Sequence, residues 1–110
     1  MSMKSTSLPL SDQQRAWYEQ ACARLSSDRL RDLLVDLVNI HSPTGAEREA
    51  SEFLTDYMAQ SGFSASYQHV NETSGNVLAR RPGTSDGATL MFYAPIDTHL
   101  EADADYDLPY

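Results

Sequence analysis

The feature that most constrains this chain is the apolar run Leu90-Met91-Phe92-Tyr93, which is followed at once by Pro95, Asp97 and His99 at every second position. A run that is apolar on both faces reads as a central strand, covered by a layer on each side and paired along both edges. The same spacing continues through Glu101, Asp103, Asp105 and Asp107, so the strand is expected to deliver polar side chains to its exit. Upstream, only two other short segments alternate with period two. Phe63, Ala65 and Tyr67 alternate with polar residues, and Asn76 to Arg80 forms a second run. Two flanking strands are few for such a centre, which implies a sheet that continues beyond these residues.

The first half of the chain is helical in pattern. Residues 1–10 are Ser-rich and are expected to form a flexible arm, with residues 11–110 making one portion of a domain. Ser11 with Gln14 offers a capping box, and Trp17, Ala21 and Leu25 form a thin apolar stripe, which predicts a helix over about 12–25. Leu30, Leu33, Leu34, Leu37 and Val38 form a much wider stripe and predict a second helix over about 28–40, ending before Pro43. Thr44 and Glu47 offer a second capping box, and the face from Ala46 to Met58 predicts a third helix that stops at Gly62. His41 to Gly45 is then a tight connection, where His41 is either a geometric element or part of a cleft wall. His69 is read as solvated surface. The breakers between Arg81 and Gly87 separate the second strand from the apolar one, and a hairpin is the simplest link between those two.

Charge and composition narrow the function. With 110 residues, 41% hydrophobic and 22% charged, the chain fits one globular domain. A formal charge of −8 with eight scattered Lys and Arg argues against nucleic acid. No stretch has the length of a membrane span, no signal peptide is visible, and the lone Cys22 excludes an internal disulfide framework, so a cytoplasmic location is the expectation. The acidic alternation after position 100 lacks the central Gly and terminal Glu of a calcium loop and reads as a solvated loop.

Five pieces of the sequence, taken together, resemble the opening of the M20 family of metallopeptidases and amidohydrolases. They are the Leu-rich helix, the Ser42-Pro43-Thr44-Gly45 turn with Glu47, the helix closing on Gly62-Phe63, the Asn76-Val77 strand, and the apolar strand running into Asp97-Thr98. The resemblance covers about residues 28–99. It implies an α/β fold of the zinc-exopeptidase, phosphorylase/hydrolase-like kind, in which N-terminal helices precede the strands of a larger mixed sheet that is incomplete in this chain. It also implies hydrolysis of a C–N bond, either an amide or the amine of a small molecule as in an aminohydrolase, by a metal-activated water.

Where the family carries Gly-His-x-Asp-Thr, with a metal-binding His and an Asp that orients it, this chain reads Ala94-Pro95-Ile96-Asp97-Thr98. Asp97 and Thr98 match, while Pro95 replaces the ligand. The resemblance therefore assigns the catalytic role to Asp97 and leaves the metal to His99 and Asp97, with a single Zn or Mn ion rather than two as one outcome. His99 alternatively contacts substrate, as does Glu101. The remaining ligands and the general base of such an enzyme lie downstream. The expected partners are thus the rest of the enzyme as a second polypeptide, a small-molecule substrate and further copies in a homo-oligomer. The alternative is a non-catalytic M20-like binding protein that has lost its metal site.

Overall fold

The computed structural model describes residues 9–98. It is a small mixed α/β chain with three helices and a two-stranded antiparallel sheet: α1 (Asp12–Ala23), α2 (Ser27–Val38), α3 (Arg48–Gln60), β1 (Ser64–His69) and β2 (Gly75–Arg80). The chain divides into two compact units at Asp32 and Leu33, a boundary that falls inside α2. No helix among the described residues is long and apolar enough to cross a membrane.

In the first unit, α1 starts as its sequence demands. The Ser11 hydroxyl accepts from the Gln14 N–H at 3.2 Å, and the Gln14 side chain accepts from the Ser11 N–H at 2.9 Å, so two otherwise unsatisfied donors are paired. The thin stripe of α1 is largely uncovered, with Trp17 and Leu25 both exposed. Cys22 is free and exposed. The next helix opens on Ser26, whose hydroxyl accepts from the Arg29 N–H at 3.2 Å.

The second unit is built around α3, which packs on both strands. Its N-terminus differs from the sequence expectation. Thr44 and Glu47 do not form a capping box: α3 begins at Arg48, and Glu47 makes no side-chain cap bond. The physical reason is competition for these groups, because the Arg48 N–H donates instead to the Thr73 carbonyl at 3.0 Å, and the Thr44 and Glu47 side chains have partners elsewhere. The C-terminus follows the sequence closely. Gly62 adopts φ +87, the Gly62 N–H reaches the Ala59 carbonyl, and the Phe63 N–H reaches the Met58 carbonyl, which is a Schellman motif.

The strands pair with Ala65 opposite Ala79, Tyr67 opposite Val77 and His69 opposite Gly75. Of these, Ala65, Tyr67, Val77 and Ala79 are half-buried and Gly75 is buried, while His69 at the strand end is exposed; Leu78 on the other face is half exposed. The turn between the strands is set by Asn71, whose side-chain Oδ1 accepts from the Thr73 and Ser74 N–H groups. Gly75 is required by packing: a Cβ there would overlap the Tyr67 ring, which lies across the Gly75 backbone. The buried Ser51 hydroxyl donates to the Gly75 carbonyl at 2.6 Å and joins α3 to β2.

Two expectations are corrected here. The hairpin joins β1 to β2 rather than β2 to the apolar run, and residues 88–98 form no strand. Leu90, Met91, Phe92 and Tyr93 are 77% to 90% exposed. An apolar run becomes a central strand only when layers and neighbouring strands exist to cover it. The hairpin already occupies α3, the layer that the second unit provides for it.

Candidate functional site

The site forms where two distant pieces of backbone are clasped together. Ser42 is almost fully buried, and its hydroxyl donates to the Ile96 carbonyl at 2.8 Å. In the other direction, the Ser42 carbonyl accepts from the Thr98 N–H at 2.8 Å and from the Thr98 hydroxyl at 3.2 Å. A single serine thus satisfies the chain on either side of Asp97. Pro43, also buried, fixes the turn that follows, which is closed by a bond from the Ala46 N–H to the Pro43 carbonyl.

Asp97 stands on this clasp. It is half-buried, and its Oδ2 accepts from the Thr44 hydroxyl at 2.5 Å. Glu47 lies near enough to oppose it electrostatically. The Glu47 carboxylate is held from two sides, by the Gly45 N–H at 2.6 Å and by the Ser74 hydroxyl at 2.6 Å. Burial pushes its pKa up, and the negative charge of Asp97 does so too. The bonds from Ser74, Gly45 and its own N–H act the other way and leave it below the ordinary carboxylate value of 4.5. Glu47 is therefore ionised at neutral pH.

The turn carrying Thr44 is itself fixed to the β1–β2 turn. The Thr73 hydroxyl donates to the Gly45 carbonyl at 2.8 Å, and the Arg48 guanidinium donates to the Glu72 carbonyl and to Glu52, both at 2.9 Å. Beside this junction lies an open pocket of about 260 Å³, lined by His41, Ala46, Arg48, Glu49, Glu72 and Thr73. His41 is half-buried and contributes to that wall. His69 is exposed at the end of β1, as expected of surface.

The sequence-predicted residues divide sharply. Asp97 is described and is held by named partners; His99 and Glu101 lie outside the described residues. Among the described residues no group of three or more His, Cys, Asp or Glu side chains could hold a metal. Sequence reasoning placed Ser42, Thr44 and Glu47 in a turn and a helix cap and missed their role around Asp97. The only available signal was that Ser42-Pro43-Thr44-Gly45 and Asp97-Thr98 belong to one resemblance. No family model matches this sequence, and no solved structure gives a significant match to the fold.

Proposed function

We propose that this chain is the N-terminal part of a metal-dependent hydrolase of the M20 kind, acting on the C–N bond of a small molecule. One observation carries the reading: the Ser42–Thr44 turn and the segment Ile96 to Thr98, which both belong to the resemblance, meet through three bonds with Ser42 and one from Thr44 to Asp97. Nothing in helix or hairpin formation by itself requires this joint.

The described residues do not make a metal site of their own, because Thr44 engages one Asp97 oxygen and both Glu47 oxygens are engaged elsewhere. In this reading a Zn or Mn ion would be held by His99 and Asp97 together with further residues outside the described ones. Such an ion, when bound, lowers the pKa of its water. Asp97 organises the metal side of the cleft, His99 serves either the metal or the substrate, Glu101 contacts the substrate, and the remaining catalytic groups of such an enzyme lie outside these residues. Pro95 supplies no donor, and this favours as a second reading a binding protein that uses the cleft without catalysis.

Metal analysis of the purified protein, combined with hydrolysis assays on N-acyl amino acids, dipeptides and amino-substituted rings, separates the two. The hydrolase reading expects stoichiometric metal and turnover, both lost in Asp97→Asn or His99→Ala. A folded protein with neither metal nor turnover refutes it and leaves the binding reading.

A further inference from the structure

We propose that two copies of this chain pair reciprocally, the run Leu90 to Tyr93 of each copy adding as a strand to the outer edge of β2 in the other. The contact does not depend on the hydrolase reading.

Both halves of this contact are present in one chain and do not meet there. Bonded and non-bonded pairs alternate along the hairpin, and the bond from the Val70 N–H to the Ser74 carbonyl fixes which are which. Asn76 and Leu78 therefore bond to β1, while Val77 and Ala79 turn their N–H and C=O groups outward. Among the described residues no further strand lies along this edge. The other half is the run itself. Its four side chains are exposed, it has no regular structure, and the clasp holds the chain beyond it on Ser42 rather than on β2. An open strand edge is a template for such a segment.

Area and charge select a second copy as the occupant. Phe92 and Tyr93 can each bury about 150–250 Å². Reciprocal exchange places four such rings in the contact. With Leu90, Met91 and the half-exposed Leu78 of the facing strand, this reaches the roughly 1,200–2,000 Å² of a stable interface. Arg80 and Arg81, which close β2 and follow it, are the only Lys or Arg after Arg48, and Asp86 precedes the run. All three are exposed. Antiparallel pairing sets the start of the run beside the end of β2, and so brings Asp86 of one copy to these cations of the other. A twofold axis repeats the contact and closes the assembly at two.

Sedimentation equilibrium of the full chain, from micromolar to millimolar concentration, is expected to show a monomer–dimer equilibrium. Amide exchange is expected to find Val77 and Ala79 protected in the dimer and open in the dilute monomer, with Asn76 and Leu78 protected in both. Phe92→Ser removes a ring from each copy and raises the dimer Kd about tenfold or more. Because Phe92 is exposed, the dilute monomer keeps its urea midpoint in this variant. Asp86→Arg also weakens the dimer, and adding Arg80→Glu recovers part of the affinity.

A chain that stays monomeric at millimolar concentration overturns the proposal and leaves the run to a different polypeptide. So does a dimer in which Val77 and Ala79 exchange as freely as in the monomer. A dimer that neither Phe92→Ser nor Asp86→Arg weakens overturns it as well, and so does open-ended assembly beyond two copies.

Discussion

Ser51→Ala tests the joint between α3 and the hairpin. Ser51 is completely buried, and its hydroxyl meets the Gly75 carbonyl at 2.6 Å. The Val70 N–H bonds to the Ser74 carbonyl at the hairpin end, and bonded and non-bonded pairs alternate along an antiparallel ladder. Gly75, paired with His69, therefore turns its carbonyl away from β1 and towards the helix. Removing the donor leaves that carbonyl buried without it, which costs roughly 1–3 kcal/mol. Alanine is the better helix former by about 0.5 kcal/mol, so the net loss is roughly 0.5–2.5 kcal/mol. For a domain of this size each kcal/mol moves the melting temperature about 4–8 °C, giving a fall of about 2–20 °C. Urea unfolding followed by far-UV circular dichroism measures it, with a lower midpoint and an unchanged slope. An unchanged or raised midpoint refutes the argument, because the Ser51 bond would then contribute nothing to the joint.

Two further outcomes concern the same unit. Gly75→Ala forces the Tyr67 ring off the β2 backbone and lowers stability by roughly 1–3 kcal/mol in the same urea assay; combining it with Tyr67→Val recovers part of the loss. Glu47 has a folded pKa below its ordinary value, so its contribution is fully present above pH 4.5 and is lost as the pH falls below that through the lowered folded value. Thermal unfolding from pH 7 to pH 3 should therefore steepen below pH 4.5 in wild type and be flatter there in Glu47→Gln.

The helices were legible because their signals are local. Ser11 with Gln14 and Gly62 with Phe63 act through neighbours within one or two turns, and the structure uses them as the sequence implies. β1 and β2 were equally visible in the alternation around Tyr67 and Val77. Thr44 and Glu47 misled because their spacing suits a cap while their partners, Asp97 and Ser74, lie far along the chain. Leu90 to Tyr93 misled for a related reason: apolarity states a demand for cover, and whether cover exists depends on other segments. Asp97 stood out in the sequence through the Asp97-Thr98 match, but its bond from Thr44 depends on a contact 53 positions away.

The Ser42 clasp makes most of the second unit a closed ring of chain, with a knot-like seam at Ile96 and Thr98. The entropy of closing such a ring grows only with the logarithm of its length, so doubling it adds only about 0.6 kcal/mol. The breaker-rich stretch from Arg81 to Gly87 and the exposed run after it can therefore lengthen or shorten with little effect on the seam. The setting of Asp97 is decoupled from the tether that leads to it, and this stretch is the place where the ring can accept new material without disturbing the carboxylate.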